Sequence, residues 1–271
     1  MITGLTGGYN TDSLGKEIGI FNNQELLYNV KRLRAPDNGT PPKIIMKKLG
    51  SVLFMGRKDC KNSKKIKNLL KQKSDKFYYF ESEKIGEKIN KKFLKLKYDY
   101  VFCFRSFFIL KKNLLKNISK FAINFHPGPP EYRGTGSVNY AIYDNSKFYG
   151  CTAHIITEAI DKGKIISVKR FKINNKFSIS NILKVTHKLM AAQAKLVIRN
   201  ILKDTSYVKK QIKKHKNIKW SKKIRKLKHL EKFYFINKNM KKNLFLKKIR
   251  ATDTPRYKPF VKIHGKKFVL E

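Results

Sequence analysis

Apolar residues along this chain fall into short runs, separated by Lys-rich stretches whose apolar positions have helical spacing. Leu49 to Met55 is apolar enough for a strand, and Gly56 ends it. Arg57-Lys58-Asp59-Cys60 makes the turn that follows. Ile66, Leu69 and Leu70 then recur at helical spacing among lysines, which predicts an amphipathic helix. Phe77 to Phe80 suits a second strand, and Ile85, Ile89, Phe93 and Leu96 predict a second amphipathic helix. Tyr98 to Phe104 is a third strand. Strands alternating with helices predict an α/β fold around a mostly parallel, doubly wound, Rossmann-like sheet.

The stretch from Phe121 to Ile166 holds most of the polar residues with plausible chemistry. Phe121-Ala122-Ile123 reads as a buried strand. Asn124 and His126 follow it two residues apart, so they share one face. A loop rich in Pro and Gly runs from Pro127 to Gly136, and a strand at Cys151 to Ile156 leads into Asp161-Lys162-Gly163. An amide, an imidazole and a carboxylate thus lie near strand ends, where open α/β sheets hold their active sites. Lys164 to Phe171 is a candidate strand. Ile179 to Leu202 predicts a long helix through Ile182, Val185, Leu189, Ala192 and Leu196, capped by Ser178 or Ser180. Phe260 to Ile263 and Phe268 to Leu270 read as a hairpin turning at Gly265.

The net charge of +45 changes the picture less than its size suggests. It would point to nucleic acid or an anionic membrane. The basic residues are mostly lysine, however, and Asn, Ile, Phe and Tyr are also frequent, the joint bias an AT-rich genome produces. Lysine spread over surface helices is first a solvated face, although it still favours anionic ligands. Residues 1–42 carry four basic and four acidic residues, so all of the excess lies beyond them. Gly4, Gly7 and Gly8 hint weakly at a phosphate loop, and Pro36, Gly39, Pro41 and Pro42 read as a linker. Residues 1–42 are therefore expected to lie outside the fold. Three widely spaced cysteines, Cys60, Cys103 and Cys151, show no metal-ligand spacing, and no metal is expected. No apolar run reaches the roughly 18 residues of a membrane span, and no signal-peptide pattern opens the chain, so a cytoplasmic setting without membrane insertion is expected.

Asn124-x-His126-Pro127-Gly128, then Tyr132-Arg133-Gly134, then Asp161-x-Gly163 about 35 residues after the histidine, resembles the folate-dependent formyltransferases. These include methionyl-tRNA, glycinamide ribonucleotide and sugar-nucleotide N-formyltransferases. The resemblance is dense over roughly residues 50–170. It implies a catalytic domain over 43–205, followed by a small Lys-rich region at 206–271. It implies 10-formyltetrahydrofolate as formyl donor. Arg105, Ser106, Phe107, Phe108, Ile109 and Leu110 would cradle the pterin largely through backbone groups, and Thr157, Glu158, Ala159 and Ile160 would close over it. A flat heterocycle suits apolar walls with a few backbone donors and acceptors. Taken alone, the Phe side chains read as core rather than as ligand contacts.

Formyl transfer moves a one-carbon acyl group from folate N10 to an amine. The oxygen that gains charge needs preorganised donors, which Asn124 and His126 can supply. Asp161 can orient and charge His126, raising its pKa, or relay a proton. Gly128, Arg133, Gly134 and Thr135 fall on the acceptor side. Relatives commonly have Ser-Leu-Leu where this chain has Gly128-Pro129-Pro130, which leaves acceptor identity open. His154 recurs in relatives, either beside the folate site or in the core. Trp220-Ser221-Lys222, and Ile249-Arg250-Ala251-Thr252 with Pro255, resemble further segments of relatives. About 50 residues follow Trp220, fewer than the C-terminal barrel of methionyl-tRNA formyltransferases is expected to need. The expected acceptor is therefore an amino-sugar nucleotide. The alternatives are methionyl-tRNA with a truncated C-terminal domain, and a non-catalytic RNA-binding or scaffold protein on the same fold.

Overall fold

A computed structural model describes residues 47–270 apart from 85, 253 and 255–257. The glycines and linker read within 1–42, Ile85 and Pro255 lie outside the described residues. The chain opens with β1, Ser51–Arg57, then α1, Lys61–Gln72, and β2, Lys76–Ser82. Next come α2, Lys91–Leu94, then β3, Tyr98–Phe104, then α3, Lys112–Leu115, and β4, Ile118–His126. A 3-10 turn at Pro130–Tyr132 and α4, Ser137–Tyr143, lead to β5, Phe148–Ile155, and β6, Ile165–Lys172. The remainder is α5, Ile179–Lys203, then α6, Tyr207–Lys214, α7, Leu227–Tyr234, and α8, Lys242–Thr252. It closes with a hairpin of β7, Phe260–Ile263, and β8, Lys266–Val269.

The sheet order is β2-β1-β3-β4-β5-β6. The first four strands of that order run parallel, and β5 and β6 are antiparallel additions. Along β1, Val52 and Phe54 enter the core beneath α5, while Leu53 and Met55 enter the opposite one with Val101, Phe93 and Leu114. A strand buried on both faces needs a continuous apolar run, which is what residues 52–55 supply. The carboxyl ends of β1, β3 and β4 meet at one edge of the sheet. The strand order reverses between β1 and β3, the place where such sheets open a crevice.

Two sequence expectations give way here. The amphipathic helix expected through Ile89, Phe93 and Leu96 shrinks to the single turn of α2. The Glu87 carboxylate accepts the N–H groups of Glu83 and Lys84, folding 83–87 into a turn. Asn90 then caps the N–H of Lys92 and starts the helix late. Of α2, only Phe93 is buried.

The α5 stripe is also rotated. Val185 is 37% exposed and Leu196 46%, whereas Thr186 and Gln193 are buried with Ile182, Met190, Ala194, Val197 and Ile201. The two polar residues bury without orphaned donors. Thr186 donates to the Ile182 carbonyl at 2.7 Å, and Gln193 donates to the Ser167 carbonyl at 3.0 Å. Hydrophobicity alone skips both positions, which is why the stripe was misplaced.

The C-terminal region packs against α4. Asn139, buried on α4, donates to the Ala251 carbonyl at 2.8 Å and to the Tyr234 hydroxyl at 3.1 Å. Ala251 joins Val138, Ile142, Ile179 and Ile182 in one apolar cluster. Of the two candidate caps for α5, Ser178 is the one used, accepting the Asn181 N–H at 3.1 Å. Ser178→Ala should lower the unfolding free energy by about 1 kcal/mol in denaturant titration. Ser180→Ala should leave it unchanged, and equal effects would reject this cap assignment.

Candidate active site

β4 carries the first two site residues. Asn124 and His126 project from one face at its carboxyl end. Their neighbour is β5, where His154 stands directly opposite Asn124. The loop after β4 is anchored to β5 at two carbonyls. Tyr149 donates its hydroxyl to Pro127, and Thr152 donates to Gly128, both at 2.8 Å.

Asp161 reaches the same point from the loop after β5. Its carboxylate oxygens lie 3.4 Å from His126 Nδ1 and 3.4 Å from His154 Nε2. The residue has left-handed backbone (φ +44), uncommon for a side chain other than glycine, so its surroundings hold it there. Those surroundings are specific. Arg133 donates Nε–H and Nη2–H to the Ile160 carbonyl, at 2.9 and 2.6 Å. The Gly134 backbone N–H faces the carboxylate. Two residues on, Gly163 runs so close to β5 that a Cβ would collide with the Ile155 carbonyl. That contact is the physical reason for glycine at the third position of Asp161-x-Gly163.

Protonation follows from this packing. Burial alone would push the Asp161 carboxyl up, but His126, His154 and the Gly134 N–H together hold it well below the usual carboxylate range. Burial lowers His126 by more than the Asp161 charge raises it, so the ring is neutral at pH 7. This reverses the raised value that the sequence led us to expect. A neutral ring facing a carboxylate carries its proton on Nδ1. Nε2 is then a buried lone pair, and it has no partner among the described residues. His154 is held at both ring nitrogens. Its Nδ1 lies 2.8 Å from the Ile155 carbonyl, and its Nε2 lies 3.1 Å from the Asn124 amide nitrogen and 3.4 Å from an Asp161 oxygen. Asn124 is thereby oriented with its NH2 group at the site.

These groups line a cavity of about 570 Å3. Arg105 to Leu110, Thr157 to Ile160, Asn124, His126, Asp161, Gly134 and Thr135 all border it, while Gly128 and Arg133 do not. Arg133 is spent on the Ile160 carbonyl and Gly128 on the loop anchor. Phe108 and Leu110 turn their side chains into the core, whereas Ile109 is 60% exposed. Ile109 and Leu110 make no backbone hydrogen bond among the described residues, so their N–H and C=O groups are open to a ligand.

Two features escaped the sequence reading as parts of this site. One is the return of the segment after α6. Arg225 pairs with Gly134 in a parallel bridge, and the Thr135 N–H donates to the Arg225 carbonyl at 2.8 Å. A Cβ at Gly134 (φ +93) would collide with that carbonyl. The other is a basic pair. Arg57 and Arg105 each lie two residues past the last registered pair of β1 and β3, Met55 and Cys103. Arg57 lies over the Phe107 ring at 4.0 Å, and Arg105 donates to the Cys60 thiol at 3.4 Å. Burial, then Arg105, then Arg57 push His187 on α5 down to about 4.

Residues 35–199, more than half of the chain, match the family described as formyl transferase. The chain belongs to the formyl transferase family. The match begins inside the segment read as an extension. A methionyl-tRNA formyltransferase of Thermodesulfovibrio yellowstonii is 33% identical over 94 residues, covering 34% of this chain and 30% of that protein. The curated relatives are each matched over less than a third of their own length. Among solved structures, a sugar N-formyltransferase from a Shewanella species superposes with a TM-score of 0.61 at 18% identity. That superposition covers 82% of this chain and 96% of the other. An N-formyltransferase from Helicobacter canadensis, in complex with folinic acid and dTDP-3-aminofucose, gives 0.61 at 16% identity, over 79% and 84%. At such identities the likeness is one of fold, and it includes the mostly parallel six-stranded sheet.

The depressed His187 sets a pH window. The unfolded chain takes up this proton near 6.5, and the folded protein resists it down to about 4. Stability is therefore full above about 6.5 and falls progressively on acidification to about 4. Asp161 adds its own loss of stability only at the acid end, below about pH 5, where the unfolded carboxylate begins to take up its proton. Denaturant midpoints of His187→Gln should fall less steeply than those of wild type between these pH values. Parallel curves would contradict the assignment.

Proposed function

We propose that this chain is a 10-formyltetrahydrofolate-dependent N-formyltransferase, whose acceptor is the primary amine of a sugar nucleotide. The observation that carries the reading is the buried Asp161 carboxylate against neutral His126, with Asn124 lining the same cavity. The cavity fits the donor. It offers the apolar walls and unbonded backbone groups at Ile109 and Leu110 that suit a pterin. When bound, the folate supplies the formyl group at N10.

The chain's own residues then have distinct tasks. His126 Nε2 accepts the proton that the attacking amine loses, and becomes an imidazolium over Asp161. The buried carboxylate stabilises that charge without taking the proton itself. The charged ring can return the proton to the leaving nitrogen. Asn124, held by His154, turns its remaining amide N–H toward the carbonyl oxygen as that oxygen gains charge. His126 is thus a base first and a donor afterwards.

The sugar-nucleotide acceptor is supported by the fold likeness to sugar N-formyltransferases over nearly their full length. It is also supported by Arg105, which the resemblance sets at the pterin but which borders the cavity with Arg57 at the adjacent strand end; we assign this pair instead to the diphosphate of the acceptor. Methionyl-tRNA is the competing acceptor, favoured by the net charge of +45 and by the similarity over 94 residues. Turnover of 10-formyltetrahydrofolate with a panel of amino-sugar nucleotides and charged initiator tRNA decides between them. Formylation of tRNA alone would overturn the proposed acceptor.

Asn124→Ala should lower kcat by roughly 10²–10³ while folinic acid binding is unchanged. Asp161→Asn should be at least as damaging, because it removes the charge that balances the imidazolium. Full activity in both variants would refute the mechanism. Arg105→Ala should raise KM for the sugar nucleotide about tenfold with little change in kcat.

A further inference from the structure

Trp220 is the single tryptophan of this chain, and it sits against both imidazoles of the site. Its ring meets His154 edge to face, with centroids 5.0 Å apart and planes at 83°. It meets His126 in the same manner, at 6.0 Å and 73°. The indole Nε1–H donates to the Gly163 carbonyl at 2.8 Å. The next residue, Ser221, donates its N–H to the Pro130 carbonyl at 3.0 Å. Trp220 is therefore pinned to the segment after Asp161 on one side and to the loop after His126 on the other.

Both histidines need such a wall. Each works only with one ring face and one ring edge in place. His126 must keep Nδ1 toward Asp161, and His154 must keep Nε2 toward Asn124. The χ2 torsion of histidine is broad and roughly two-fold, so a half-turn exchanges a nitrogen for a carbon at little intrinsic cost. The hydrogen bonds choose between the two flipped forms, and an edge-to-face aromatic contact, whose geometry favours one ring plane, holds each ring in the plane those bonds need. One indole here meets two imidazoles, so it constrains the base and the group that orients Asn124 together. The titratable groups against it are His126 and His154, with Asp161 behind them.

We propose that Trp220 is a positioning residue, which holds the ring planes of His126 and His154 and thereby couples the segment after α6 to proton transfer. The proposal rests on the formyl-transfer reading for its catalytic consequence, but its geometry is testable without turnover. An indole in contact with an imidazole loses fluorescence when the imidazole is protonated, and all tryptophan emission of this chain comes from Trp220. In the full-length protein, emission should fall as pH drops below the ordinary histidine value of 6.5. His126→Gln should diminish that fall. Emission that is flat over this range, or a fall undiminished in the variant, would overturn the proposed contact.

Activity supplies the second arm. Trp220→Phe keeps an aromatic wall, loses the hydrogen bond to Gly163, and should retain most of kcat. Trp220→Leu should lower kcat at least tenfold and displace the pH–rate profile, while folinic acid affinity stays the same. A profile that keeps its wild-type shape in Trp220→Leu would reduce the residue to packing and refute the proposal. Absence of turnover by wild type on every acceptor would refute the functional reading instead, and the emission titration would still decide the position of Trp220.

Discussion

Everything in this site depends on one buried carboxylate. Asp161 is removed from water, so its charge must be answered by neighbours. The answer comes from two imidazoles and a backbone N–H drawn from three different strands and loops. That requirement explains features that otherwise look unrelated. The left-handed turn at Asp161, the Arg133 clamp on Ile160 and the close approach of Gly163 to β5 all deliver the carboxylate to one point. The same burial that stabilises the ion pair geometry also strips His126 of its proton at rest, which prepares it to receive one.

The sheet contributes rigidity and direction. β3, β4 and β5 fix the wall of the cavity to within the tolerance of a hydrogen-bonded ladder, while the groups that touch a ligand come from the loops at their ends. The formyl transferase match spans residues 35–199 and so takes in the strands together with the loops at their ends. The lysine-rich surface is independent of this arrangement. It can drift with base composition because no surface lysine takes part in holding Asp161.

Legibility in the sequence followed the same division. Continuous apolar runs at Leu49 to Met55 and Tyr98 to Phe104 were readable as strands because those strands are buried on both faces. That Asn124, His126 and Asp161 border one cavity was readable from their places near strand ends and from the motif they resemble. The α5 stripe was not, since Thr186 and Gln193 place their donors on carbonyls within the fold and their burial leaves no hydrophobic signal. The protonation of His126 was misjudged for a similar reason. Neighbouring charge is visible in a motif, whereas desolvation depends on everything packed around it. Arg133 illustrates a third limit. Its type suggested contact with an anionic acceptor, yet its guanidinium is occupied by a carbonyl 27 residues away in the chain. Trp220 carried the one available clue, as the sole tryptophan in a chain otherwise rich in Phe and Tyr.

The pairing of Arg225 with Gly134 has a consequence for how the protein is made. Asn124, His126 and Asp161 all leave the ribosome well before residues 220–225, and the sheet that carries them can pair without the later segment. The loop at 133–135 then waits with its N–H and C=O groups facing water until the returning strand arrives. One side of the cavity is therefore complete only in a chain that extends past Trp220 and Arg225, whose contacts with residues 126, 134 and 154 close it.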